Sequence, residues 1–236
     1  MHDIAQTLER LARTFTVRDI MVTETQLVWA DSPSQAIQLL SKHPSFDVIP
    51  IKQSGEFINY LQRNSGSHST IQLEDMISDS TTILELPGIF LHKDFYFVLS
   101  GKRIEGYIHF SDLNSQLVKI PYFVLLEAVE SRIVEIIDCR IEESDLDTVL
   151  PRRSNSLKNK MKNLAEENAD RGYINFMSFR EMLKFALYYN VLKLPDEDIS
   201  CVADIRNRVD HADRPLIKTK KDTIKLAHYV CTLRKE

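Results

Sequence analysis

Cysteine is scarce in this chain. The three residues, Cys139, Cys201 and Cys231, are odd in number and far apart. No two stand at a metal-ligand spacing, which argues against a disulfide scaffold and against a cysteine-bound zinc site. They are expected to be buried, reduced thiols in a reducing compartment. Long apolar runs are also missing. No stretch approaches the roughly 18 residues needed to span a bilayer. The start of the chain lacks the apolar core of a secretory signal and carries Glu9, Arg10 and Arg13 instead. Ile4, Leu8, Leu11 and Phe15 recur there at helical spacing, predicting a short amphipathic helix packed by that face. The expected location is the cytoplasm, with no membrane partner. Positive charge is not in excess either. A net charge of −4 argues against a uniformly basic nucleic-acid coat but leaves room for a local basic site.

What remains is an ordinary globular composition, 43% hydrophobic and 27% charged. At 236 residues the chain fits two domains of about 100–150 residues each. From Thr16 to about Leu113 one pattern runs twice. The first copy opens with Arg18-Asp19-Ile20-Met21 and a short strand around Gln26–Trp29. Ser32 and Pro33 then suit the N-cap and first position of a helix whose face is Ala36, Ile37 and Leu40. A strand at Phe46-Asp47-Val48-Ile49-Pro50-Ile51, the turn Ser54-Gly55 and a strand Phe57–Leu61 complete it. The second copy has Leu73–Ile77, a helical stretch near Ile83–Phe90, the strand Phe95–Leu99, the turn Ser100-Gly101-Lys102 and the strand Ile104–Ile108. The polar run Asn64–Ser69 links the copies.

Three segments carry a family likeness: Arg18-Asp19-Ile20-Met21, Asp47-Val48-Ile49-Pro50-Ile51, and Gly106-Tyr107-Ile108-His109-Phe110-Ser111-Asp112-Leu113. Through them residues 16–120 resemble a tandem CBS-domain pair, a small module that senses adenosyl ligands. The resemblance implies α/β units binding AMP, ADP, ATP or a similar compound. In the family's closing run a hydroxyl residue touches phosphate and an aspartate takes the ribose hydroxyls, a role suited to a carboxylate as a double acceptor. Asp112 matches the ribose position. His109 departs from the hydroxyl position, and Ser111 stands beside it. In the first copy the aspartate position falls near Ser65, without a carboxylate, so one well-formed site is expected. Val48, Ile49 and Pro50, with Phe95–Phe97, are candidates to wall the base, although aromatic residues in a strand are more often core than ligand wall. The resemblance thus implies nucleotide-binding residues Asp112, Ser111, His109, Ile49 and Pro50. Ser111-Asp112 reads equally as a helix cap.

After Asn114 strand signals give way to helices. A long helix is expected from Pro121 through Ile137, with Leu125, Leu126, Val129, Ile133, Ile136 and Ile137 on its buried face. Shorter helices are expected at Glu142–Leu150, Phe179–Leu192, Asp198–Val209 and Asp222–Leu233, while Ser156–Asn168 reads as a polar stretch, basic at first and then acidic. Ser178 and Glu181 form a capping box. The fold class is therefore α+β, with a sensor module over residues 1–120 and an all-α bundle over 121–236.

Near the end of that half stands Arg206-Asn207-Arg208-Val209-Asp210-His211. On a continuous helix Asn207 and His211 share a face at i, i+4, whereas Arg206 and His211 lie about 140° apart. The latter pair converges only if the helix frays or a second chain completes the site. Arg206 can also simply pair with Asp210, with His211 at the negative end of the helix. The run resembles the motif of the HEPN family, four-helix domains common among RNases of toxin and defence systems. That resemblance implies metal-independent RNA cleavage through attack of the ribose 2′-hydroxyl. Arg206 would hold phosphate oxygens, Asn207 would orient, and His211 would move the proton. No catalytic cofactor is expected. The implied partners are RNA, an adenine nucleotide, a second copy of the chain and an antitoxin protein. The competing reading is a non-catalytic nucleotide sensor whose helical half docks a partner.

Overall fold

The computed structural model describes residues 4–63, 65–166, 172–193, 195 and 198–233. Asn64 of the linker, residues 167–168 of the polar stretch Ser156–Asn168, and the side chain of Cys231 lie outside what is described. The chain divides into two compact units, one formed by Phe15–Leu117 and the other by Met1–Thr14 with Val118–Glu236. The first helix therefore belongs with the C-terminal helices rather than with the repeat.

Helix α1 (Ile4–Ala12) buries Ala5 and Ala12. Ile4 and Leu11 stay 68% and 47% exposed, so the expected Ile4–Leu8–Leu11 face is not the packed one. Glu9 pairs with Arg132 at 3.2 Å.

In the repeat unit, β1 (Val22–Thr23) is followed by a turn at Glu24–Gln26 and irregular chain through Trp29, not by the expected strand. Only Ala30 makes a bridge, parallel to Ile51. Helix α2 (Pro33–Lys42) starts as expected, the Ser32 hydroxyl accepting the Gln35 amide at 3.3 Å. Strands β2 (Val48–Gln53), β3 (Glu56–Gln62) and β4 (His68–Thr70) form one antiparallel sheet in that order. The β2–β3 turn uses Ser54 and Gly55 at positive φ. Strand β5 (Met76–Ser78), the short helix α3 (Leu86–Ile89), β6 (Phe95–Ser100) and β7 (Arg103–His109) follow. The second sheet has the order β1-β7-β6-β5, so the first copy lends its opening strand to the second. Gly106 permits this: a Cβ there would lie 2.8 Å from both the Met21 sulfur and the Val22 carbonyl.

Strand β2 is buried on both faces, and its side chains alternate between two cores. Ile49 and Ile51 pack beneath α2 with Ala30, Ala36, Leu40 and Leu61. Val48, on the other face, packs with Phe57, Tyr60, Ile71, Phe95 and Phe97.

The other unit has helices and no strand among its described residues. Helix α4 (Gln116–Ile137) begins five residues before the expected start and takes Pro121 into its interior. Proline there forgoes the bond to the Leu117 carbonyl, yet burial of Val118, Tyr122, Leu125, Leu126, Val129 and Ile133 holds the helix together. Helices α5 (Glu143–Val149), α6 (Ser154–Glu166), α7 (Phe179–Tyr188), α8 (Ile199–Asp210) and α9 (Lys220–Leu233) follow. Ser178 and Glu181 make the expected box, the Ser178 amide donating to Glu181 at 2.8 Å. Helix α7 stops before the expected Leu192 because Asn190 turns left-handed at φ 55°. Cys139 is exposed and Cys201 only partly covered, so the expectation of buried thiols does not hold for these two.

Candidate functional site

Strands β1, β2 and β7 border a cavity of about 440 Å³, within the range of small-molecule sites. Leu27, Val28, Phe46, Val48 and Tyr107 give it an apolar wall, while Asp47, His109, Ser111 and Asp112 give it a polar end. Val22 and Tyr107 are register partners across β1 and β7, so the cavity inherits the close approach at Gly106.

The polar end is a tight turn. His109 ends β7 and caps the 3-10 turn Phe110–Asn114. Its own amide donates to Asp112 Oδ2 at 2.7 Å. The Ser111 amide donates to His109 Nδ1 at 3.3 Å, and the Ser111 hydroxyl lies 2.7 Å from the same nitrogen. An accepting Nδ1 assigns the ring proton to Nε2, which faces Asp47 Oδ2 at 3.5 Å. Burial pushes the His109 imidazole below its ordinary range, although Asp112, Asp47 and Asp94 pull the other way. Burial likewise raises the Asp112 carboxyl, against the His109 amide that favours its charge. The Tyr107 phenol is raised far above its usual value by burial, with Asp112 and Asp47 adding to it.

Of the residues singled out in the sequence, Asp112, Ser111 and His109 come together here. Ile49 and Pro50 do not line the cavity. Ile49 points to the α2 face of β2, and Pro50 pairs with Tyr60 further along the strand. Phe95 and Phe97 are core. Leu27, Val28, Asp47 and Tyr107 were missed as lining. Tyr107 was legible, since it shares a strand face with His109 by alternation. Leu27 and Val28 were not, because they reach the cavity from irregular chain after a turn, without strand pairing.

At the repeat-related position Lys93-Asp94-Phe95 stands for Phe46-Asp47-Val48, and Tyr60 stands for Tyr107. Lys93 is ion-paired with the buried Asp75 and sits over the rings of Tyr60 and Phe95, at 5.1 and 4.4 Å. A larger cavity of about 660 Å³ in the same unit is edged by Glu24, Glu56, Lys102, Arg103 and Glu105. Its charges are of both signs and mostly on exposed hairpin positions, with no convergent recognition group.

In the helical unit Arg206 and Asn207 line a cavity of about 530 Å³ with Glu130, Phe179 and Arg180. Arg206 is held by Asp210 at 2.5 Å and faces Glu130 at 3.8 Å, its guanidinium over the Phe179 ring. Burial raises the Glu130 carboxyl, with Arg206 opposing. His211 ends α8 as an exposed C-cap and does not line that cavity. Its backbone is held instead: the buried Lys119 ammonium donates to the carbonyls of His211, Ala212 and Arg214 at 2.5, 3.4 and 2.6 Å. Arg208 pairs with Asp204 at 2.7 Å and Asp222 at 3.5 Å. Among the described residues no cluster of three His, Cys, Asp or Glu side chains is placed to hold a metal, and no helix is long and apolar enough to cross a membrane.

No protein-family model matches the chain, and no curated protein does. Among solved structures, the chain is similar to the CBS domain of a putative transporter from Clostridium difficile 630, with 17% identity over 46% of this chain and 97% of the other, at a TM-score of 0.35. It is also similar to CBSX2 in complex with AMP, with 13% identity over 45% and 98% at a TM-score of 0.37. A third similarity is to the CBS domain of a bacterial CNNM/CorC-family Mg2+ transporter in complex with ATP, with 10% identity over 50% and 94% at a TM-score of 0.36.

Proposed function

We propose that Phe15–Leu117 is a CBS-type sensor unit that binds one adenosyl compound in the Asp112 cavity, and that binding regulates the helical part of the chain. The observation that carries this is the meeting of an apolar slot with a fixed carboxylate. Asp112 has one oxygen held by the His109 amide, which orients the group as a double acceptor for a ribose diol. Leu27, Val28, Val48 and Tyr107 offer a flat base its wall. Helix α4 begins at Gln116, only four positions past Asp112, so ordering of the Asp112 turn is passed to α4 along the backbone. Calorimetric titration of adenosine, AMP and ATP tests this. At least one is expected to bind wild type and to lose binding in Asp112→Asn. An unaltered isotherm in that variant would remove the site.

A second reading, HEPN-type RNA cleavage, is favoured by one observation: Arg206 and Asn207 open into a shared cavity while His211 is exposed at the end of the same helix. On this reading RNA is the substrate, and its phosphate displaces Asp210 or Glu130 from Arg206. A second copy of the chain brings His211 to the opposite side of the scissile bond. An antitoxin protein would cover the same cavity. Cleavage of a mixed RNA substrate by wild type but not by Arg206→Ala or His211→Ala is the expected result. Equal behaviour of all three would refute catalysis at this run.

A further inference from the structure

Resting on the sensor reading, we infer that the Asp112 cavity selects an adenosyl compound with no phosphate on its 5′ side, neutral or cationic there, over AMP and ATP. The charge of the lining points this way. Asp47 and Asp112 both border the cavity, and among the described residues no lysine or arginine lines it. Gln26 and Ser45 complete its polar border and are uncharged. Arg63, which follows β3, is spent elsewhere: its guanidinium donates to the carbonyls of Leu40, His43 and Phe46 at 2.8, 2.7 and 2.9 Å.

The turn that would cradle a phosphate is also used up. The Ser111 amide and hydroxyl meet His109 Nδ1, and the His109 amide meets Asp112. The group at the hydroxyl position of the run is an imidazole, and its remaining nitrogen faces the Asp47 carboxylate at 3.5 Å. A phosphate entering there meets a negative charge and finds its donors already bonded. A nucleoside meets neither problem, and a cationic 5′ substituent gains attraction from Asp47.

The test is titration calorimetry on the full chain at pH 7.5 with adenosine, S-adenosylmethionine, AMP and ATP, in wild type, Asp47→Asn and Asp112→Asn. Adenosine or S-adenosylmethionine is expected to bind at least tenfold more tightly than AMP, with ATP weaker still. Asp47→Asn is expected to narrow the gap between adenosine and AMP severalfold. If AMP or ATP binds wild type more tightly than adenosine, and Asp112→Asn abolishes that binding, the charge selection is overturned while the sensor reading stands. An unchanged gap in Asp47→Asn overturns the role given to that carboxylate. Failure of all four compounds to bind overturns the sensor reading itself.

Discussion

Asp112 is a carboxylate whose burial favours its neutral form and whose hydrogen bond from the His109 amide favours its charge. A diol donating to it adds to the second effect. Hydrogen bonds to a charged group are worth about 1.5–3 kcal/mol each, so Asp112→Asn is expected to weaken adenosyl binding by about 10-fold or more; titration calorimetry reads this directly. His109 gives a pH signature. Its folded-state affinity for protons is lowered by burial, so the unfolded chain protonates first as pH falls. Its contribution to stability is whole above the ordinary imidazole range of about 6.5 and shrinks as pH drops below it. Asp112 has the opposite sign: its raised folded value makes its contribution greatest at low pH and smaller as pH rises through that value. Urea unfolding of wild type and His109→Gln between pH 7.5 and 5 should therefore show wild type losing the more stability; parallel curves would contradict this. At this scale the sequence was informative where a residue type carries its own chemistry. Asp112, Ser111 and His109 were legible as a group because three positions of one turn stay together in any fold. Ile49 was misread because a strand's second face is invisible until its partner helix is known.

The elements explain the rest of that legibility. Helix α2 announced itself through Ser32 and Pro33, and α7 through Ser178 and Glu181, since caps are local chemistry. Strand β1 did not, because two residues paired to a distant β7 through Gly106 leave no local pattern. The start of α4 was hidden by Pro121, which usually opens helices and here lies inside one. Its first turns carry Lys119, a buried cation whose bonding partners are the three carbonyls just beyond α8. These carbonyls lie at the negative end of that helix. Replacing Lys119 by Met keeps the bulk and removes the shared donor. A loss of about 1.5–3 kcal/mol is expected, the worth of a hydrogen bond to a charged group, together with faster amide exchange over 211–216. Amide exchange indistinguishable from wild type would show that Lys119 does not hold this segment.

For the whole molecule, the internal repeat offers two related positions, and only one of them carries a carboxylate like Asp112. At the other, Lys93 is paired with Asp75 over Tyr60 and Phe95. Binding stoichiometry is therefore expected to be one adenosyl ligand per chain, and two would contradict this. The division into units was only partly legible for a similar reason. A sequence boundary near residue 120 follows from composition, but the membership of α1 depends on Ala5, Ala12 and the Glu9–Arg132 pair. The Arg206 run has the same dependence. Its residue types suggest phosphate chemistry, while Asp210 and Glu130, which share its cation, are recognised only when the fold brings them to it. The central claim is that a ribose diol rests on Asp112. A crystal structure of the chain grown with saturating adenosine tests it most directly. Both ribose hydroxyls within hydrogen-bond distance of Asp112, with the base against Val28 and Tyr107, is the expected result. Adenosine bound elsewhere, or an empty Asp112 cavity at saturation, would contradict it.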